Sequence, residues 1–153
     1  MTSNSVPLRF LVVEDNDDMR HLLSEMVEQL GHTVDQARDG VEAVEALGVM
    51  PYDFMLLDLT MPRMTGEDVL RWVGEHPAWA VGLRVIVVSG RSGIHELNAE
   101  NLGVEAVLSK PFTRRQLRGL LDGATRYSPD TAAEVKRAEV DGQDEATSER
   151  GRP

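Results

Sequence analysis

The sequence lacks cysteine altogether. A disulfide framework, a thiolate metal site and a thiol nucleophile are therefore excluded. It also lacks any run approaching the roughly 18 apolar residues that a membrane span needs, and its first residues show no basic flank followed by an apolar core. We therefore expect a cytoplasmic protein without membrane insertion.

Positive charge is scarce, because 16 lysines and arginines stand against 26 acidic residues and leave a formal net charge of −10. Binding to a phosphate backbone depends on clustered basic residues, so no direct contact with nucleic acid is expected. The 153 residues are 41% apolar and 27% charged, which is ordinary for one globular domain with a hydrophobic core.

Apolar, strand-like runs alternate with helical stretches up to about residue 125, a pattern typical of βα units wound into a parallel sheet. Strands are predicted at 8–13, 33–37, 54–57, 84–88 and 106–108, and helices at 17–29, 41–47, 67–74, 94–101 and 114–123. The runs LRFLVV and LRVIVV show too little polar alternation for a half-exposed sheet, so helices should cover both faces. The predicted class is α/β, with five parallel strands and five helices.

Local signals mark several helix ends. Asp39 with Glu42 is typical of a capping box, Gly31 and Gly48 are expected just after helix ends, and Thr113 is expected to cap the last helix.

The predicted domain covers residues 8–127, after a flexible N-terminus at 1–7. From residue 128 to 153 the only apolar residues are alanines and two valines, and polar residues dominate. This stretch is too polar for a second core, and two readings of it stay open: disorder, or a short marginal helix after Thr131 and Glu134.

Acidic residues follow two of the predicted strands. Glu14 and Asp15 come directly after the first strand, and Asp58 comes directly after the third. A parallel sheet of this kind binds its ligand at the carboxyl ends of its strands, where these residues should meet. Carboxylates held close together repel one another unless a cation lies between them, and an oxygen-only site suits Mg²⁺ better than zinc.

Two further strand ends supply complementary groups. Ser89 follows VIVV, and Lys110 follows AVLS and precedes a proline. Taken singly, each of these acidic and polar residues is adequately explained as a helix start or a polar strand end. Together they form a set able to bind a metal and the oxygens of a phosphoryl group. A carboxylate can attack phosphorus to give an acyl phosphate, with Mg²⁺ and Lys110 neutralising charge and Ser89 donating a hydrogen bond.

Over roughly residues 8–125, the sequence resembles the receiver domains of two-component response regulators. The motifs that carry the resemblance are LVVEDN at 11–16, LDLTMPRMTG at 57–66, VIVVSG at 85–90 and SKPF at 109–112. They occur in the family's order and near its spacing, and the combination is far more specific than any one of them. The resemblance implies a flavodoxin-like doubly wound sheet of strand order 2-1-3-4-5.

The resemblance also implies roles for single residues. Asp58 would be the phosphoacceptor, phosphorylated from a histidine kinase or a phosphotransfer protein. Asp15 would bind Mg²⁺ directly, Glu14 through a water, and Thr60 through its backbone carbonyl. Ser89 would be the switch hydroxyl. Lys110 would pair with the phosphoryl group, and its bond to the following proline is expected to be cis.

In function, the resemblance implies a stand-alone protein, similar to chemotaxis regulators, that signals to a downstream protein target by changing its surface. It would not be an enzyme beyond catalysing its own phosphorylation and dephosphorylation.

The sequence departs from the family's pattern at two positions. Glu14 replaces the commoner Asp, and its extra methylene can shift the coordinated water. Val107 stands where the family usually has an aromatic switch residue, so that switch cannot operate in the usual way. The predicted helix at 94–101 lies in a segment with glycines and asparagines, which makes it marginal and an alternative switch element.

Rival functions come from other classes. A pseudo-receiver that signals by protein contact without phosphate is disfavoured by the intact acidic residues and lysine, although Val107 favours it mildly. A phosphatase with an aspartyl intermediate usually needs a second acid two residues after its nucleophile, where this chain has Thr60. Flavin binding is weaker still, because the acidic residues after the first strand would repel a phosphate.

Overall fold

The computed structural model describes residues 6–90 and 103–125. One parallel sheet is built from β1 (Arg9–Val13), β2 (Thr33–Ala37), β3 (Phe54–Leu57), β4 (Arg84–Ser89) and β5 (Val104–Ser109), in the order β2-β1-β3-β4-β5. The helices are α1 (Asp17–Gln29), α2 (Gly40–Val49), α3 (Gly66–Glu75) and α4 (Arg114–Thr125), with a 3₁₀ turn at Pro77–Trp79. The predicted α/β class and its 2-1-3-4-5 order are confirmed.

Four predicted helices are present, and the fifth, at 94–101, lies outside the described residues, as does the tail at 128–153. The chain divides into two units, Met1–Arg118 and Gly119–Pro153, and the whole sheet belongs to the first. In the part of the chain that the structure describes, no helix has the length and apolarity to cross a bilayer.

The three central strands are apolar because they are buried on both faces. Every residue of β3 is buried, and so are all residues of β1 and β4 except the arginine that begins each strand. β1 pairs in parallel with β3, with Val13 opposite Leu57, so the two strands end at the same level. This shared end is what brings the residues after β1 next to the residue after β3.

Side-chain caps fix the helix starts. Asn16 accepts the Met19 amide at the start of α1. Thr113 accepts the Gln116 amide, and the Gln116 side chain accepts the Thr113 amide in return, which confirms the predicted cap of α4. Gly31, with a φ of 91°, follows α1 as predicted.

Two local predictions need correction. α2 does not end before Gly48 but runs to Val49, because the Met50 amide still bonds to the Ala46 carbonyl and the chain turns away only at the following proline. The predicted capping box of α2 is half formed: Asp39 accepts the Glu42 amide, but the Glu42 carboxylate accepts the amide and the guanidinium of Arg38 instead of the Asp39 amide.

Candidate functional site

Three carboxylates meet at the carboxyl edge of the sheet. The Asp58 amide donates to the Val13 carbonyl at 3.0 Å, which continues the β1–β3 pairing past the last strand residue. Carboxylate oxygens of Glu14, Asp15 and Asp58 lie within 4.8 Å of one another. Among the described residues, this is the one cluster of three acidic side chains close enough to hold a metal ion. The structure therefore brings together the carboxylates that follow two different strands.

The cluster combines burial with like charge. Glu14 is 1% exposed and Asp58 is 4% exposed, whereas Asp15 faces solvent. Burial raises the pKa of Glu14 to about 7, against the lowering effect of its hydrogen bond to Lys110. Burial also raises the pKa of Asp58, again opposed by Lys110. Burial therefore disfavours the ionised form of both carboxylates, and added positive charge would favour it.

Lys110 supplies one positive charge to the cluster. Its Nζ atom lies 2.6 Å from Glu14 Oε1 and 3.6 Å from Asp58 Oδ1, so Glu14 is its nearer partner. The Lys110–Pro111 peptide bond is cis, as expected. The Lys110 amide donates to the Ser89 carbonyl at 3.0 Å, and this bond ties the end of β5 to the end of β4.

Ser89 is the last residue of β4 and is buried. β3 and β4 pair with Leu57 opposite Val87, so Asp58 lies level with Val88 and Ser89 follows one position later. The predicted hydroxyl therefore stands on the strand beside the acceptor, at the same edge of the sheet.

The loop after Asp58 closes around the acceptor. The Thr60 amide donates to Asp58 Oδ1 at 3.3 Å, and the Gly66 amide donates to the Leu59 carbonyl at 3.0 Å. A Cβ atom at Gly66 would collide with the backbone of Asp58 and Leu59, so only glycine lets α3 begin this close to the acceptor. The predicted role of the Thr60 carbonyl as a metal ligand stays a prediction.

The structure adds a support that the sequence did not reveal. Arg63 adopts a φ of 66° and pairs its guanidinium with Asp39, the N-cap of α2. Next to this ion pair the Gly40 amide donates to the Met64 carbonyl at 3.2 Å. The loop that follows the acceptor is thus fastened to the start of α2. No local sequence motif predicts this ion pair, because its two residues are 24 positions apart in the chain.

The residues present fit a hard divalent cation. The group offers oxygen ligands from three carboxylates, which together carry more negative charge than the single ammonium of Lys110 neutralises. Neither histidine nor cysteine belongs to the group, and this donor set favours Mg²⁺ over zinc.

Val107, at the position where the resemblance expects an aromatic residue, lies on β5 and is 40% exposed. Its exposed side chain lies on the edge strand, so the replacement of the usual aromatic residue by valine changes the surface of the sheet edge.

Comparison with known proteins agrees with this geometry. Residues 10–122 match the response regulator receiver domain family. The chain is 38% identical over 112 residues to the Regulator of RpoS of Escherichia coli strain K12, covering 72% of this chain and 32% of that protein. The chain therefore spans about a third of the length of that curated relative.

Solved structures share the fold. A CheY-like receiver domain protein from Methanospirillum hungatei has a TM-score of 0.69 at 22% identity, covering 78% of this chain and 94% of the other. The response regulator TrrA from Thermotoga maritima, solved in complex with Mg(2+)-BeF, has a TM-score of 0.66 at 25% identity, covering 76% of this chain and 97% of the other.

Proposed function

Because this chain belongs to the response regulator receiver domain family, we propose that Asp58 accepts a phosphoryl group from a histidine kinase or a phosphotransfer protein, with Mg²⁺ as cofactor. The observation that carries the proposal is the convergence of Glu14, Asp15, Asp58 and Lys110 at one edge of the sheet. The Mg²⁺ complex of the similar protein TrrA supports the choice of metal.

In the proposed reaction, a carboxylate oxygen of Asp58 bonds to phosphorus while the bond from phosphorus to the donor nitrogen breaks and its electron pair stays with the donor. Bound Mg²⁺ would supply positive charge to the transferring phosphoryl oxygens. It would be held by Asp15 and Asp58, by Glu14 through water, and by the Thr60 carbonyl.

Two further groups would act on the phosphoryl oxygens. The Lys110 ammonium, 3.6 Å from Asp58, is near enough to pair with them, and the Ser89 hydroxyl would donate a hydrogen bond to one of them. Phosphorylation of Asp58 would therefore create new contacts between the acceptor and the ends of β4 and β5. We infer that this changes the surface that a downstream protein target binds, without direct contact to nucleic acid.

The chain would thus be a signalling protein that catalyses only its own phosphorylation and dephosphorylation. The test is incubation with a small-molecule phosphoryl donor, with and without Mg²⁺, read by intact mass. Wild-type protein should gain one phosphoryl group only with Mg²⁺, and Asp58→Asn should gain none. An Asp58→Asn protein that is labelled as well as the wild type would refute the assignment of the acceptor.

One observation favours a pseudo-receiver as the second candidate, namely Val107 in place of the aromatic switch residue. A pseudo-receiver would keep the fold and bind its partner equally well with and without phosphate. The same labelling experiment separates the two functions, because a pseudo-receiver would take up no phosphoryl group under any Mg²⁺ concentration.

A further inference from the structure

Arg20 is a buried arginine on α1 whose side chain is only 7% exposed. Its guanidinium donates three hydrogen bonds in three directions: Nη1 to the Glu14 backbone carbonyl at 3.0 Å, Nε to Gln36 Oε1 at 3.0 Å, and Nη2 to Asp17 Oδ1 at 2.6 Å. Hydrogen bonds offset the hydration that a guanidinium loses on burial, and these contacts involve three of the five N–H groups of Arg20.

The bond to Glu14 bears on the acidic cluster. The peptide unit between Glu14 and Asp15 is planar, so fixing the Glu14 carbonyl also fixes the plane from which the Asp15 backbone continues. The next residue, Asn16, is held by its own cap of α1 and by its amide, which donates to Glu14 Oε2 at 3.2 Å. Arg20 and the α1 cap therefore fix both ends of the short segment that carries two cluster carboxylates.

The choice of acceptor matters as much as the bond itself. Arg20 bonds to the backbone carbonyl of Glu14, so this contact leaves the Glu14 and Asp15 carboxylates free of the guanidinium. Had Arg20 paired with either carboxylate, it would have competed with a cation for the same oxygens. The observed arrangement orients the ligands and keeps their charge available.

We propose that Arg20 is a positioning residue that sets the affinity of the acidic cluster for Mg²⁺ by holding the Glu14–Asp15 peptide in its binding orientation. The inference rests on the proposed Mg²⁺ site. If Arg20 only joined α1 to β2, it would stabilise the fold equally well, but its removal would leave the affinity for the metal unchanged.

The test compares Mg²⁺ dissociation constants, obtained from amide chemical shifts in NMR titrations, with stability from urea unfolding of the same proteins. Arg20→Met keeps the apolar stem but removes all three bonds, and it should weaken Mg²⁺ binding by about tenfold or more, as loss of a partner behind a metal ligand does. Arg20→Lys, which can still reach one acceptor, should recover part of the affinity and serves if the Met variant does not fold.

Two controls separate positioning from stability. Gln36→Ala removes another bond of Arg20 but leaves its bond to Glu14, so Mg²⁺ should bind as in the wild type. Val85→Ala cuts into the core at the far end of β4, and it should lower stability without changing the dissociation constant.

The outcomes distinguish the two proposals. Wild-type affinity in both Arg20 variants, with only stability reduced, would overturn the positioning role while leaving the Mg²⁺ site intact. Absence of saturable Mg²⁺ binding by the wild type would overturn the proposed site itself.

Discussion

At the scale of single residues, the acceptor depends on a neighbour that has no side chain. Gly66 begins α3 directly against the backbone of Asp58 and Leu59, where a Cβ atom has no room. The backbone on both sides is held by hydrogen bonds, so neither partner can move away cheaply. Gly66 is therefore part of what fixes the acceptor in place.

We predict that Gly66→Ala destabilises the protein by about 1–3 kcal/mol, the usual cost of forcing an extra carbon into a packed site. It should also slow labelling of Asp58 by a small-molecule donor, because relief of the collision must displace the acceptor backbone. The measurements are urea unfolding and intact mass.

Gly74 is the matched control on the same helix, since nothing lies within 4 Å of an added Cβ there. Gly74→Ala should stabilise α3 by up to about 1 kcal/mol and leave labelling unchanged. Equal effects of the two substitutions would show that contact with Asp58 is not what matters at Gly66.

At the scale of elements, the helices differ in the charge of their first turns. α1, α2 and α3 all place acidic residues there, which the positive end of the helix dipole favours. α4 instead begins with exposed Arg114 and Arg115 and has no acidic residue in its first turn. The Thr113 cap thus stabilises a helix start whose charges oppose the dipole.

Arg115→Glu should accordingly raise the free energy of unfolding by about 0.3–1 kcal/mol at low ionic strength. Arg115→Gln, which only removes the charge, should give a smaller gain. Both gains should shrink in concentrated salt because exposed charges are screened. Urea unfolding at low and high salt measures this, and a gain that is independent of salt would rule out the dipole as its cause.

A second prediction at this scale concerns the start of β1 and β2. His32 Nδ1 accepts the Leu8 amide at 3.0 Å, and its ring lies 5.4 Å from the Phe10 ring. Burial lowers the pKa of His32, although the charge of Asp53 opposes the shift. The folded protein therefore binds this proton less readily than the unfolded chain, whose histidine has a pKa of about 6.5.

Because the pKa of His32 is lower in the folded protein than in the unfolded chain, its neutral ring contributes stability that is fully present above about pH 6.5. This stability is lost as the pH falls below that value, since the unfolded chain then binds the proton more readily. Between about pH 7 and pH 5, the free energy of unfolding should fall more steeply in the wild type than in His32→Gln, which keeps an acceptor but cannot titrate. Urea unfolding across this range gives the two slopes, and parallel curves would contradict the assignment.

At the scale of the whole molecule, a bound cation should stabilise the fold by mass action, because the cluster forms only when β1 and β3 are paired. At ten times its dissociation constant, Mg²⁺ should add about 1.4 kcal/mol. For a domain of this size the melting temperature should then rise by about 5 °C.

Asp15→Asn should reduce this rise, since it removes an exposed carboxylate of the cluster without disturbing the core. Thermal unfolding of both proteins with increasing Mg²⁺ is the measurement, with Asp18→Asn as the control for loss of one acidic charge near the same helix start. An unchanged response in Asp15→Asn would argue against a metal site at this edge of the sheet.

The sequence by itself determined the α/β class and the edge of the sheet that carries the chemistry, whereas the strand order 2-1-3-4-5 was implied only by the resemblance to receiver domains. Unbroken apolar runs such as β1 and β4 leave no choice but burial on both faces, and parallel strands end together. The polar residues directly after those runs therefore had to lie at one edge of the sheet. The motifs around Asp58 and Lys110 also carried the resemblance to receiver domains and the expectation of a cis Lys110–Pro111 bond.

Only the tertiary structure decided how that edge is held. Lys110 lies nearer to Glu14 than to Asp58, Arg20 fixes the Glu14 carbonyl from α1, and the Arg63 guanidinium reaches Asp39 at the start of α2. These contacts join residues far apart in the chain or turn on side-chain direction, neither of which leaves a periodic signal. Sequence patterns report which residues are buried, whereas the partner of each charged group depends on distances that exist only after the elements have packed.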